Sequence, residues 1–153
     1  MNRQSKGISL KKINVTDRFL KREMELARTE VIPYQWEALN DNVEGAEPSF
    51  CMRNFKLAAK LGEKRRTLGQ ESLPVWTTEE FNLVPEKGKP MEERFYGFVF
   101  QDTDFSKWIE AVGYSLAAHP DPELEKLADH AIDIVCAAQY EDGYLDTFYI
   151  IND

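Results

Sequence analysis

Hydrophobic residues recur at helical spacing through the first half of the chain. Thr16 and Asp17 offer a helix N-cap, and an apolar stripe then occurs at i, i+4, i+7 and i+11: Leu20, Met24, Ala27 and Val31. Pro33 interrupts this stripe because it lacks a backbone N–H donor. A second helix is predicted to begin at Pro48-Ser49, to carry an apolar side and to stop at Gly62; that side comprises Met52, Phe55 and Ala59.

Two longer helices are predicted in the second half. Asp104 is expected to cap the third helix, which ends at His119-Pro120 and carries the apolar residues Phe105, Trp108 or Ile109, Val112 and Leu116. Asp121-Pro122-Glu123 is the clearest start signal, with a capping Asp, Pro at the first helical position and an acid in the first turn. The fourth helix ends at the turn Glu141-Asp142-Gly143 and carries Leu124, Leu127, Ala128, Ala131, Val135 and Ala138.

Three segments lack helical periodicity. Residues 8 to 15 alternate loosely and predict a short N-terminal edge strand, and residues 144 to 151 predict extended chain. Residues 63 to 94 combine a charge run with Pro74, Pro85, Gly88 and Pro90, which predicts a long surface excursion. Within that excursion, Val75-Trp76 and Phe81–Leu83 are expected to dock on the body. The pattern as a whole predicts an all-α chain of antiparallel helical pairs.

Composition excludes several classes of protein. The chain has 153 residues, 42% hydrophobic and 30% charged, which is enough for one domain with a buried core. A formal net charge of −8 argues against binding to a nucleic-acid backbone. No run of about 18 apolar residues predicts a membrane span. The polar residues 1 to 6 and the short apolar stretch after them are unlike a secretory signal, so we expect a cytoplasmic chain without membrane or nucleic-acid partners.

The two cysteines, Cys51 and Cys136, are predicted to be buried reduced thiols. Two cysteines cannot form a four-ligand zinc site alone, and the sequence has no Cys-x-x-Cys pair or Cys/His cluster to supply the remaining ligands. The residues themselves therefore predict no metal site.

Three short segments could carry binding chemistry. Gln101, Asp102 and Asp104 could bind sugar hydroxyls, since carboxylates accept hydrogen bonds and amides both donate and accept them. The turn that contains Tyr144 places acids and a glycine between aromatic residues, as sugar-binding clefts do. The alternatives are an ordinary helix cap with an exposed Asp102, and an ordinary helix C-terminus. The aromatic cluster around Pro33 and Trp36 is interpreted as a packed corner.

No Ser/His/Asp arrangement, phosphate-binding Gly-rich loop or metal-ligand spacing is present. The separation of two carboxylates, which would indicate a glycosidase, cannot be obtained from residue order. Residue patterns alone thus predict a helical domain and no particular activity.

Four blocks in the sequence resemble the β-L-arabinofuranosidase family, glycoside hydrolase family 127. Val31–Asp41 resembles the opening signature of the family, and Phe95–Asp104, continuing to Glu110, resembles its second block. His119–Leu124 matches the third block, and Gln139 with Asp142–Thr147 matches the fourth. The four blocks occur in the family order over roughly residues 8 to 150.

The resemblance implies a partial (α/α)6 toroid, in which helical hairpins surround a cleft for a terminal sugar. Family members remove terminal β-L-arabinofuranosyl residues with retention of configuration. They use a cysteine nucleophile on a zinc site formed by cysteines and a glutamate, and a second glutamate as acid/base. In the family these groups lie downstream of the fourth block, and neither Cys51 nor Cys136 sits in a matching motif.

The resemblance therefore predicts that residues 1 to 153 form the N-terminal portion of the catalytic barrel, inactive alone, with no catalytic residue, metal ligand or cofactor of its own. Gln101, Asp102, Asp104 and Tyr144 are the predicted substrate-binding residues, and an arabinofuranosyl carbohydrate is the expected ligand. A stand-alone sugar-binding module, and a subunit that pairs with the remainder of the barrel, are the alternatives.

The chain departs from the family pattern in two places. Ser49-Phe50 stands where relatives often carry Ser-His, and residues 63 to 94 are interpreted as a loop insertion.

Overall fold

The computed structural model describes residues 7–70 and 82–152, and this part of the chain is mostly helical. The helices are α1 (Arg18–Leu26), α2 (Ile32–Leu39), α3 (Cys51–Leu68), α4 (Asp102–Ala118), α5 (Pro122–Ala138) and α6 (Thr147–Ile151). A π-helical segment, Ala27–Val31, joins α1 to α2, so residues 18 to 39 form one continuous helical path. Two short strands, β1 (Asn82–Leu83) and β2 (Gly97–Phe98), pair antiparallel.

The first helical path begins where the sequence predicts. The carboxylate of Asp17 accepts a hydrogen bond from the Leu20 backbone N–H at 2.8 Å. Pro33, predicted to interrupt the helix, does not break the path, because it lies in the first turn of α2, where a missing N–H is tolerated. The wider π-helical turn lies directly before it.

The second helix differs from the prediction at both ends. It starts at Cys51 and not at Pro48-Ser49, because the residues before Cys51 are held outside the helix. Asp41 Oδ1 accepts hydrogen bonds from the backbone N–H groups of Ser49 (2.6 Å) and Phe50 (3.0 Å). Phe50 adopts a left-handed conformation (φ 59°). The predicted stop at Gly62 is wrong: α3 continues to Leu68 and ends at a left-handed Gly69. Gly62 is instead buried, and a Cβ there would lie 3.5 Å from the Tyr140 ring.

The hairpin formed by α4 and α5 matches the prediction most closely. Asp121 Oδ1 accepts hydrogen bonds from the backbone N–H groups of Glu123 and Leu124, both at 3.2 Å, and Pro122 opens α5. α4 ends at Ala118, as predicted. It begins at Asp102, however, so the prediction that Asp104 caps it is wrong; Asp104 lies in the first turn. The buried faces comprise Phe105, Trp108, Val112, Leu124, Ala128, Ala131, Val135 and Ala138.

Two predicted extended segments are wrong. The N-terminal edge strand is a 3-10 turn at Leu10–Lys12, and Ile8 and Ile13 beside it are exposed, with no strand paired to them among the described residues. Residues 147 to 151 form α6, because Asp146 Oδ1 accepts hydrogen bonds from the N–H groups of Phe148 (3.1 Å) and Tyr149 (3.4 Å). A local N-cap therefore outweighs the β-propensity of the residues that follow.

The segment predicted as an excursion begins later than residue 63, because residues 63 to 68 still belong to α3. Val75-Trp76 and Phe81, predicted to dock, lie outside the described residues. Leu83 pairs with Gly97. The segment that leads from the excursion back to β2 is anchored to α3 by Arg53. Its guanidinium donates hydrogen bonds to the carbonyl oxygens of Glu92 (2.5 Å) and Arg94 (3.0 Å).

The core is centred on α3, which packs against α4, α5 and α6. The fully buried residues of α3 include one polar side chain, Asn54. Asn54 Nδ2 donates to the Tyr96 carbonyl oxygen at 2.8 Å, and the Tyr96 N–H donates to Asn54 Oδ1 at 3.5 Å. This amide therefore satisfies the backbone of the residue that immediately precedes β2.

No helix among the described residues is long and apolar enough to cross a bilayer.

Replacing Asn54 with alanine is expected to lower the free energy of unfolding by about 1–3 kcal/mol, because the Tyr96 carbonyl would be buried without its partner. Urea denaturation measures this change. Asn42→Ala is the matched control, since the Asn42 amide contacts Glu37 at the surface, and its effect is expected to stay within about 0.5 kcal/mol. Equal losses for the two variants would contradict the role assigned to Asn54.

Candidate functional site

Three of the polar groups at the start of α4 form one network. Gln101 Nε2 donates to Asp104 Oδ2 at 2.6 Å, and Lys107 Nζ lies 3.2 Å from Asp104 Oδ1. The spacing of three residues places these side chains on one face of the first turns of the helix. Both carboxylate oxygens of Asp104 therefore have a neighbouring donor, and the bond from Gln101 orients the carboxylate.

The network depends on Gly97, the first residue of β2. Gly97 has φ +97°, and a Cβ there would lie 2.9 Å from Gln101 Oε1. The same Oε1 accepts a hydrogen bond from the Phe98 backbone N–H at 3.4 Å. Only a residue without a side chain lets the Gln101 amide lie this close to the strand.

Asp104 and Lys107 face an open cavity of about 440 Å³ between α2 and α4. Gln35 of α2 and Ser49 also line it, and Trp108 contributes to its wall. Ser49 Oγ is shielded from solvent and has no hydrogen-bond partner among the described residues. An amide, a carboxylate and an ammonium group thus line one cavity, which is a mixture of donors and acceptors that suits a polyol.

Asp102 makes a different connection. Its Oδ2 accepts a hydrogen bond from the Thr147 backbone N–H at 2.8 Å, and its Oδ1 accepts one from Thr147 Oγ1 at 2.6 Å. Burial raises the pKa of the Asp102 carboxyl, against the lowering effect of these two bonds, and the nearby Asp146 raises it further. Asp102 therefore ties the start of α4 to the start of α6.

Tyr144 is half-buried in the turn between α5 and α6. The turn is closed by hydrogen bonds from the Gly143 N–H to the Tyr140 carbonyl and from the Tyr140 N–H to the Tyr144 carbonyl, both at 2.9 Å. The rings of Tyr140 and Tyr144 are 6.2 Å apart. Burial raises the pKa of the Tyr144 hydroxyl, and the charge of Asp146 adds to this effect.

The structure therefore places the four predicted site residues in two groups. Gln101 and Asp104 are hydrogen-bonded to each other, whereas Asp102 is bonded to Thr147, three residues after Tyr144. The charge of Asp146 contributes to the raised pKa of both Asp102 and Tyr144.

Sequence reasoning missed Gln35, Ser49 and Thr147. Gln35 belongs to the aromatic cluster interpreted as a packed corner, and that interpretation is confirmed for Trp36, whose ring centroid is 4.8 Å from that of Trp108. Residue order carried no signal for Thr147, since its partner Asp102 is 45 positions away. The Asp146-Thr147 pair could have been recognised only as a helix start.

The cysteines do not fit the zinc and nucleophile chemistry of the resembled family. Cys51 is buried, and burial raises the pKa of its thiol to about 12, which disfavours the thiolate that attacks or binds a metal. Cys136 is exposed, contrary to the prediction that both thiols are buried. Within residues 7–70 and 82–152, no three His, Cys, Asp or Glu side chains form a group that could hold a metal ion.

Comparison with known proteins identifies relatives over nearly the whole chain. Residues 12–153 match the family described as β-L-arabinofuranosidase, GH127 catalytic domain. The chain is 36% identical over 140 residues to a non-reducing end β-L-arabinofuranosidase of Bifidobacterium longum subsp. longum, covering 92% of this chain and 19% of that protein.

A solved structure shows the same relationship. The chain superposes on the crystal structure of a GH127 β-L-arabinofuranosidase from Geobacillus stearothermophilus T6 with a TM-score of 0.66 and 44% identity. The match covers 90% of this chain and 17% of that one. The chain thus spans about a fifth of the length of these relatives and corresponds to a small amino-terminal part of them.

The contact between Asp102 and Thr147 predicts a pH-dependent effect of Thr147→Val. The Thr147 hydroxyl lowers the pKa of Asp102, so its loss raises that pKa further in the folded protein. A group whose folded pKa lies above its unfolded pKa loses its contribution to stability as the pH rises. Thr147→Val is therefore expected to lower the free energy of unfolding by about 1–3 kcal/mol at pH 7 and by less at pH 4.

Urea denaturation at the two pH values measures this difference. Thr147→Ser, which keeps the hydroxyl, is the control and is expected to show the same small penalty at both. A Thr147→Val penalty that does not change with pH would show that the hydroxyl does not act on the Asp102 carboxylate.

Proposed function

The chain belongs to the GH127 β-L-arabinofuranosidase catalytic-domain family, and from this we propose that it forms the amino-terminal part of a domain that hydrolyses terminal β-L-arabinofuranosyl residues. Its α4–α5 hairpin and the packing of α3 against α4, α5 and α6 support the proposal that it contributes the first helical hairpins of an (α/α)6 toroid. The ligand proposed for it is a carbohydrate with a terminal arabinofuranosyl group.

The residues of this chain bind and orient the sugar. Gln101, Asp102, Asp104 and Tyr144 are the proposed substrate-binding residues. The observation that carries the proposal is the network in which Gln101 and Lys107 orient the Asp104 carboxylate beside the 440 Å³ cavity. A fixed carboxylate accepts hydrogen bonds from two sugar hydroxyls without paying the entropy of ordering its own side chain.

Bond cleavage is not assigned to any group described here. The high pKa of Cys51 makes its thiol a poor nucleophile, and the described residues supply no ligand set for zinc. The proposed activity of the whole domain therefore draws its nucleophile and its acid/base from the part of the GH127 domain that this chain does not span.

A second candidate function is barrel completion, in which this chain pairs with a polypeptide carrying the rest of the domain. The observation that favours it is α1, which buries none of its side chains. Its exposed apolar residues are Phe19, Leu20, Met24 and Leu26. In a protein about five times longer, as the relatives are, an apolar helix face of this kind is expected to be covered by another helix.

The substrate-binding proposal predicts that Asp104→Ala lowers the affinity of the chain for methyl β-L-arabinofuranoside by about tenfold, because an oriented acceptor is lost. The unfolding free energy is expected to fall by about 1 kcal/mol, since Asp104 is only half-buried and its side chain bonds two neighbours on its own helical turn, Gln101 and Lys107. Isothermal titration calorimetry and urea denaturation measure the two quantities.

Asp129→Ala provides the matched control, because Asp129 is an exposed carboxylate on α5, away from the cavity. It is expected to leave the affinity unchanged. If Asp104→Ala altered stability alone and left glycoside binding intact, the segment would be a helical scaffold without a sugar site.

Barrel completion predicts that the double substitution Phe19→Glu and Met24→Glu reduces the fluorescence of a hydrophobic dye bound to the chain. The unfolding free energy is expected to change by about 1 kcal/mol or less, because neither side chain is buried. The double variant is also expected to lose co-purification with a co-expressed polypeptide carrying the remainder of a GH127 domain.

Ile132→Glu, at an exposed apolar position on α5, is the control and is expected to retain both dye binding and co-purification. A wild-type chain that binds no dye and does not co-purify would argue against barrel completion and leave the sugar-binding proposal standing.

A further inference from the structure

Two exposed phenylalanine rings, Phe98 of β2 and Phe100 of the turn before α4, stack on each other. The ring centroids of Phe98 and Phe100 are 5.3 Å apart, and their planes differ by 8°. The side chains are 44% and 61% exposed, whereas Phe95 and Phe105 in the same part of the chain are buried. Two parallel apolar rings left in solvent are unfavourable, so a surface of this kind favours a ligand or another part of a longer domain that covers it.

The backbone around the rings is held in place. The Gln101 N–H donates to the Phe98 carbonyl oxygen at 2.9 Å, and Thr103 donates to the Phe100 carbonyl oxygen through its N–H (3.0 Å) and its hydroxyl (2.9 Å). Phe98 itself lies in β2, paired with Asn82. The stacked pair is therefore carried on an ordered turn, and a ligand does not have to order this turn when it binds.

Phe98 lies at the edge of a groove of about 700 Å³ that is separate from the cavity beside Asp104. Gln101 lines the groove as well, and its amide is bonded to Asp104, which lines the cavity. Charged side chains form part of the remaining wall: Glu47, Glu86, Lys87 and Lys89. One amide thus connects a polar cavity to a groove that combines an aromatic surface with charged groups.

We infer that Phe98 and Phe100 form an aromatic platform for a second sugar ring, the one to which the terminal arabinofuranosyl group is attached. A sugar ring presents C–H groups on its faces and hydroxyls at its edge, so it can cover the exposed phenyl rings while its hydroxyls bond to Gln101 and the charged groups of the groove. The mixed wall favours a carbohydrate over a lipid, which requires a continuous apolar lining. This inference rests on the proposed function, since the cavity must hold the terminal sugar.

The experiment compares two ligands by isothermal titration calorimetry with the full chain: methyl β-L-arabinofuranoside, and a disaccharide with a terminal β-L-arabinofuranosyl residue. The platform predicts that the disaccharide binds more tightly than the methyl glycoside. Phe100→Leu is expected to weaken disaccharide binding by about two- to tenfold and to leave the affinity for the methyl glycoside unchanged.

Phe100→Tyr keeps a ring and is expected to retain the disaccharide affinity. Phe19→Leu is the matched control, because Phe19 is an aromatic residue of similar exposure on α1, and it is expected to have no effect on either ligand. Thermal unfolding of each variant confirms that the exposed substitution leaves the fold intact.

The possible outcomes separate the platform from the proposed function. If the methyl glycoside binds and Phe100→Leu does not alter disaccharide affinity, the platform is wrong and the proposed function stands. If the disaccharide binds in a Phe100-dependent manner while the methyl glycoside does not bind, the rings bind a sugar but the cavity does not hold the terminal one, which overturns the proposed function and with it the assignment of the platform to the second ring. If neither ligand binds, both are overturned.

Discussion

The position of the candidate site depends on the buried amide of Asn54. Its side chain lies in the middle of the core and bonds both the N–H and the carbonyl of Tyr96, so it anchors the chain just before β2. Gly97 and Phe98 follow directly, and the Phe98 N–H meets the side chain of Gln101. The network at Asp104 is therefore attached, through the contacts Asn54–Tyr96, Phe98–Gln101 and Gln101–Asp104, to one buried residue in the first turn of α3. A site built outward from a buried polar anchor keeps its geometry even though its outer members are exposed.

Local signals predicted the helices whose boundaries are set by neighbouring residues. The Asp121-Pro122 start of α5 was predictable because the carboxylate and the donors it caps lie within three positions. Gly62 shows the limit of such signals, since a glycine that allows close packing against Tyr140 has the same identity as one that ends a helix. Gly69, which does end α3, could be distinguished only by its conformation. The strand predicted at residues 8 to 15 failed for a related reason, because alternation requires a partner strand.

The part of the candidate site that lies within one helical turn could also be predicted from the sequence. Gln101 and Asp104 lie one helical turn apart, so their proximity follows from the period of α4. The contact of Asp102 with Thr147 joins segments 45 positions apart, and the packing of α6 decides it. Resemblance to a family identified both segments as important without showing that they touch. Ser49 could not be predicted either, because its placement follows from the left-handed backbone that Asp41 stabilises at Phe50.

The π-helical segment between α1 and α2 has a consequence for the whole N-terminal helix. A π turn is an α-helical turn with one additional residue, and each residue turns an α-helix by about 100°. The extra residue in Ala27–Val31 therefore rotates α1 about its axis relative to α2, whose Ile32 and Leu39 are buried. A single-residue deletion in this segment would restore the regular helical period and rotate Phe19 and Met24 to another side. One inserted residue thus determines which side of the molecule carries the apolar surface of α1.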